Sequence, residues 1–574
     1  MLRSSNLALL ALLTSCVLAG CHGSSTQTAV DTTPGASTAA ASHAQLFGGM
    51  GPHKRTISTS SARCQQFFDQ GLTWAYAFNH DEAIRSFQEA ASADPNAAMP
   101  WWGIALCNGP HINNPAMDEM HSKAAWDAWN KASDIARNTP ATTATEKTLI
   151  EALRSRYADP SAGNLPLTPD QRAPLDRAYA DAMKRVHDQY GNDADVCTLY
   201  AESLMDLRPW DLWSVDYQPR PETLEIMGVL EHAMQLDPKH PGANHLYIHA
   251  CEAGPEGVPA KAIPAANRLR TLVTASGHLV HMAGHIDVRT GAWGQAAEQN
   301  RQAIKIDAAY RKLSPNQGFY NIYMAHNHQF LAWSCMHTGR KAECLAAARA
   351  MMEGIPPAFI EGSPEAIDGY LGLEIEALLR FGEWDKMLAM EQPPAKLPIK
   401  TALWRYGRAT AYAAKGDIAA AEREQQAFLQ AVEAIPAGRK MAINDAHTTM
   451  KIAEHSLAGE IAFRRGSIDD AVMHLTEAVK IEDTLRYMEP PDWVWPTRHQ
   501  LGAVLMSANR FDEAADVYRA DLKKWPENGW ALYGLAECLK AKNSPEAASV
   551  EARFKKVWAN ADTPIKATCM CVKK

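Results

Sequence analysis

The chain has 574 residues, 46% of them hydrophobic and 8% aromatic, which allows a large core spread over several domains or one extended repeat array. A net charge of −8 and a pI near 6.2 provide no basic face, so nucleic acid is excluded as an expected partner. After the N-terminus no apolar run approaches the 18 or so residues needed to cross a bilayer.

The chain opens with Arg3, a short apolar stretch from Leu7 to Leu13, and then Leu18-Ala19-Gly20-Cys21. This pattern resembles the bacterial lipobox. The resemblance implies a signal peptide over residues 1–20 and a lipid on Cys21, which becomes the first residue of the mature protein. His22 replaces the aspartate that would favour the inner membrane. In a two-membrane organism that implies an outer-membrane anchor facing the periplasm, and otherwise an extracytoplasmic membrane surface. Residues 21–60 are rich in Ser, Thr, Ala, Gly and Pro and read as a flexible tether. Of 11 cysteines, Cys16 leaves with the signal and Cys21 is acylated, leaving an odd nine, so at least one stays unpaired within the chain. Cys569 and Cys571 fall in a C-terminal tail, residues 561–574, expected to be a disordered end, with metal binding or oxidation as the alternative.

From Cys64 the stretch CQQFFDQGLTWAYAFNHDEAIRSFQEAASADP resembles a complete tetratricopeptide repeat, a helical hairpin of about 34 residues. Phe67, Gly71 and Trp74 pack its first helix, Ala83, Phe87 and Ala90 its second, and Pro95 closes the unit. The same grammar returns at Leu501, Gly502, Leu505, Ala514, Tyr518 and Pro526, with weaker copies between. The expectation is an all-α solenoid, a right-handed superhelix of roughly nine to ten hairpins. It divides into residues 61–240 with irregular loops, 241–345 rich in histidine, and 346–560. Two stretches break the period, Asn108 to Asp118 and Leu207 to Pro221, and such departures from a solenoid often sit on a binding face. Trp101, Trp102, Trp210 and Trp213 are expected to pack core and loops.

Histidines concentrate between Asn244 and Gln329: His245 and His249, then His278, His281 and His285, then His326 and His328. Residues four apart stand on one helix face, so each HxxxH presents two imidazoles in a common direction. The tetratricopeptide resemblance implies a groove lined by positions 2, 5, 9, 12 and 13 of each repeat. In that register His245, His249 and Glu252 take positions 5, 9 and 12, while His278, His281 and His285 take 2, 5 and 9 of the next. Glu202 and Asp206 take 9 and 13 of the preceding unit. Neighbouring helices pack about 8–10 Å apart, so His245, His249, His281 and His285 are the expected ligands of a transition metal. Glu202, Asp206, Glu252, His278 and His326 are additional candidates. Imidazole ligands suit zinc, copper, iron or nickel. His328 is expected to turn away and His337 to lie at the surface near a turn.

These helices resemble those of a family of bacterial tetratricopeptide proteins carrying GHxxHMPxHI-like and HNxH-like motifs and a segment like EPPDWxxPxRxxLG, matched here by Glu489 to Gly502. The chain departs from the pattern at Met282-Ala283-Gly284, which lacks the proline, and at His326-Asn327-His328-Gln329, where the second histidine is shifted by one. The resemblance implies an exported repeat protein. Three functions follow: a scaffold binding a peptide or protein in the concave groove, which is the leading expectation; a metal-binding protein; and a metal-dependent enzyme. No nucleophile elbow, phosphate loop, dinucleotide fingerprint or HExxH motif occurs, and no catalytic residue is assigned.

Overall fold

The structure, a computed structural model, describes residues 44–163, 165–315 and 317–572. The expected signal peptide, Cys21 and the first part of the tether lie outside these residues. Among the described residues the protein is all-α, with helices paired in sequence into hairpins and only three isolated β-bridges.

The hairpins are set by a small-against-large grammar. A Cβ on Gly71 or on Gly103 would meet the Phe87 ring at 2.7 Å, so this ring is wedged between the first helix of its own repeat and that of the next. Tyr518 fills the same place between Gly502 and Gly534 near the other end. In both repeats two glycines 32 positions apart let three helices close on one aromatic ring, which dense core packing rewards. Residues 44–572 form one compact body. Its core is two large apolar clusters, one running from Ile57 to Met324 and one from Val288 to Val572. Their members interleave along residues 282–336, the segment that carries His285 and His326.

Five helices build the site: α1 (Ala62–Tyr76), α2 (Pro241–Glu252), α3 (Gly277–His281), α4 (Ala283–Arg289) and α5 (Tyr320–His337). The ends of α1 to α3 are locally specified. The Ser61 side chain caps α1, Ser276 Oγ caps α3, and α2 starts at Pro241 with His240 Nδ1 accepting from the Ala243 N–H. Met282, between α3 and α4, keeps helical angles of φ −54° and ψ −29°, so His278, His281 and His285 follow one another on a nearly continuous rod. Gly242 seats α2 directly on the Tyr76 ring of α1.

Distant repeats return to cover the centre. Trp293 Nε1 donates to the Pro526 carbonyl at 2.7 Å, Trp333 Nε1 to Val494 at 3.1 Å, and Trp530 Nε1 to Met336 at 2.8 Å. Residues 44–60, expected in the tether, instead lie against the body. Phe47 packs edge-on to Trp74 and Tyr310, and Arg55 and His53 donate to the buried Asp195, which also accepts from His240 and the Tyr76 hydroxyl. Buried acceptors recruited this polar segment, whose composition alone reads as linker. Cys569 and Cys571 are joined in a disulfide, and the other seven cysteines among the described residues are buried and free.

Candidate metal centre

Helices α2 and α3 bring His245, His249 and His278 together, with one nitrogen from each ring within 4.8 Å of the other two. His245 Nε2 lies 3.1 Å from His249 Nε2 and 3.2 Å from His278 Nε2. The far sides of two of these rings are committed. His245 Nδ1 faces the Tyr76 carbonyl oxygen at 2.7 Å, and His249 Nδ1 faces Glu252 Oε1 at 2.9 Å. A carbonyl only accepts, and Glu252 is a carboxylate: burial opposes its charge, but His285 and His249 hold it down at about 2. Both Nδ1 atoms therefore carry a proton, and in the neutral form of the two rings their Nε2 lone pairs face one another with no hydrogen between them. Burial pushes His245 well below the ordinary histidine range, reinforced by His249, so the His245 ring stays neutral with its Nε2 lone pair free.

A second triad lies alongside. His281, His285 and His326, from α3, α4 and α5, again hold their ring nitrogens within 4.8 Å, and His281 Nε2 is 2.9 Å from His285 Nε2. Asn300 fixes His281: its Nδ2 donates to the Ala296 carbonyl, which leaves Oδ1 to accept from His281 Nδ1 at 2.7 Å. His285 Nδ1 sits at ion-pair distance from Glu252 Oε2, 2.8 Å, and Glu489 Oε2, 2.9 Å, although neither oxygen has hydrogen-bond alignment. Burial disfavours its charge, yet the two carboxylates raise His285 to about 10; burial lowers His326 to about 4. Glu252 thus touches one histidine of each triad.

Both triads open on a cavity of about 450 Å³. Trp210, Phe319, Tyr323, Phe359, Tyr370 and Met488 supply much of its apolar wall, and Lys440 and Arg486 its cations. The two irregular stretches supply part of the lining through Ile112, Asn113, Pro115, Pro209 and Trp210.

All four leading candidates, His245, His249, His281 and His285, fall in the cluster, together with Glu252, His278 and His326 from the second rank. Glu202 and Asp206 do not share a donor group with them. Asp206 is ion-paired with Arg156, and Glu202 feels the same guanidinium, because the helix Ala144–Arg154 delivers Arg156 beneath them. His328 keeps out of both triads, as expected. His337 is not at the surface: it is buried, donates to the Trp333 carbonyl and stacks on Trp293 at 4.2 Å, because the C-terminal repeats cover it. Glu489, absent from the expected ligands, stands at the head of the EPPDW segment, the one signal that could have found it. Asn300 and the Tyr76 carbonyl had no signal.

A tetratricopeptide repeat family model matches residues 505–552. No curated protein matches the chain. Among solved structures, a human IFIT1 dimer with m7Gppp-AAAA is 14% identical, covering 88% of this chain and 92% of that one at a TM-score of 0.33. The APC/C hetero-tetramer Cut9–Hcn1 is 12% identical, covering 88% and 77% at a TM-score of 0.31. At these scores neither structure informs the site. The chain carries a tetratricopeptide repeat at residues 505–552 within an all-α helical-repeat fold.

Proposed function

We propose that this protein binds a transition-metal ion through His245, His249 and His278 and uses it to hold a small molecule in the adjoining cavity. The observation that carries the reading is the His245 Nε2 to His249 Nε2 approach of 3.1 Å with both Nδ1 protons directed outward. Four-coordinate ions with metal–nitrogen bonds of about 2.0–2.1 Å hold their ligand nitrogens about 3.3 Å apart. Donation of the outer N–H to a carbonyl and a carboxylate is the support that metal-bound histidines use. Three imidazoles without a thiolate suit zinc, copper, iron or nickel, and they leave a coordination position for a ligand.

A helical-repeat groove that takes a peptide or protein is the second reading, favoured by the fold. The free space here is about 450 Å³, within the small-molecule range of about 300–1,000 Å³, so the cavity suits a compact ligand better than an extended chain. A lipid on Cys21 and an extracytoplasmic membrane location, at the outer membrane where there are two, complete the proposal; Cys21→Ser should then release the protein from the membrane fraction.

Metal analysis of tag-free protein tests the central reading. We expect a bound first-row transition metal, lost in His249→Ala with helicity retained. Protein without metal, and with a melting temperature unmoved by added zinc or copper, would defeat it. A peptide pull-down that survives chelation would favour the groove scaffold.

A further inference from the structure

We propose that the centre holds two ions, the first at His245, His249 and His278 and the second at His281, His285 and His326, facing one cavity. This rests on the metal reading above and extends it. The second triad shares the geometry of the first, apart from the extra proton that His285 carries: three nitrogens, one from each ring, within 4.8 Å, an Nε2 to Nε2 approach of 2.9 Å, and an outer nitrogen pinned by an acceptor, Asn300 Oδ1, whose orientation the Ala296 carbonyl enforces. The triads are neighbours. Ring centroids of His249 and His285 are 6.0 Å apart, and those of His278 and His281 are 5.9 Å apart.

One carboxylate ties the halves together, and a second stands beside it. Glu252 reaches His249 with one oxygen and His285 with the other. Glu489, 1% exposed, lines the cavity and approaches His285, yet neither of its oxygens has a hydrogen-bond partner. A buried carboxylate that has no hydrogen bond and only the His285 ring beside it is costly. A cation on the His285 ring would answer both carboxylates at once. Paired ions facing one cavity clamp a single oxygen-bearing ligand from two sides, which one ion cannot do.

The test uses the full chain, purified without an affinity tag, stripped with chelator and reloaded with zinc or copper. We expect two ions per chain by elemental analysis, and spin–spin coupling between the ions in the electron paramagnetic resonance spectrum of the copper form. His278→Ala and His326→Ala should each hold one ion. Glu489→Gln should keep two, the second bound about 10- to 100-fold more weakly, as for a supporting contact. One uncoupled ion in the wild type, with His326→Ala unchanged, would overturn the second ion while leaving the metal reading intact. No ion at all would overturn both. Two ions in the wild type with one lost in Glu489→Gln but none in His326→Ala would also overturn the assignment, moving the second ion onto Glu252, His285 and Glu489. Because stoichiometry and coupling are read on the wild type, a variant that fails to fold does not shield the proposal.

Discussion

His245 donates through Nδ1 to the Tyr76 carbonyl oxygen at 2.7 Å, joining two helices 169 positions apart in the chain. One imidazole thus serves the end of the first helix and the centre of the histidine cluster. Removing it should act on both. His245→Ala leaves a buried carbonyl without its donor, a cost of about 1–3 kcal/mol. It also takes one ligand from the first triad. Zinc at about 100 times its dissociation constant should stabilise the wild type by about 2.7 kcal/mol. Thermal unfolding with and without zinc should show a smaller increment for the variant. An undiminished zinc response would remove His245 from the ligand set.

The repeat grammar makes a prediction of opposite signs at two glycines. A Cβ at Gly502 would collide with the Tyr518 ring, which Gly534 confines from the other side, so neither helix can yield freely. Gly502→Ala should cost about 1–3 kcal/mol. Gly228 lies inside the exposed face of the helix Thr223–Leu236, with nothing within 4 Å of an added Cβ. Gly228→Ala should stabilise by about 0.5–1 kcal/mol. Urea midpoints of the two variants, measured side by side, check the contrast.

The two glycines also show what could be read from sequence. Gly71, Phe87 and Gly103, like Gly502, Tyr518 and Gly534, act within neighbouring hairpins, so a repeat period exposes them. The same period placed His245, His249, His281 and His285 on groove-facing positions, because position in a helix decides which way a side chain points. It does not decide what else arrives there. Arg156 reaches Asp206 from another hairpin, and Glu489 reaches His285 from a segment about 200 positions away that has no helical period. His337 was misplaced for the same reason: its cover comes from the C-terminal repeats. Closure of a superhelix is a long-range event, and local register is blind to it.

The Arg156 to Asp206 pair separates a structural carboxylate from a metal ligand. The two side chains are almost fully buried, and Arg156 also donates to the Pro110 carbonyl at 2.8 Å, at the root of one cavity-lining loop. Asp206→Ala strands a buried guanidinium, which costs about 3–5 kcal/mol. The metal content of the folded variant should equal that of the wild type. A loss of metal with little loss of stability would restore Asp206 to the ligand set.

Glu376 should govern part of the pH dependence of stability away from the histidines. It is buried on the helix Leu373–Arg380, its Oε1 has no partner, and burial raises its carboxyl from the ordinary 4.5 to about 8 against one favourable backbone contact from Val494. A group whose folded pKa is raised contributes stability that is complete below its unfolded pKa and is lost as the pH climbs through the folded one. The unfolded glutamate ionises near pH 4.5 while the folded one resists until about pH 8, so stability should fall across that window and level off above it. A rise of this size corresponds to about 4–5 kcal/mol as an upper bound. Glu376→Gln keeps the shape and the acceptor for Val494 but cannot ionise, so the slope due to this residue should vanish. Urea unfolding at pH 5 and at pH 9 measures the difference. The variant should match or fall slightly below the wild type at pH 5 and exceed it at pH 9, and parallel losses in both proteins would refute the assignment.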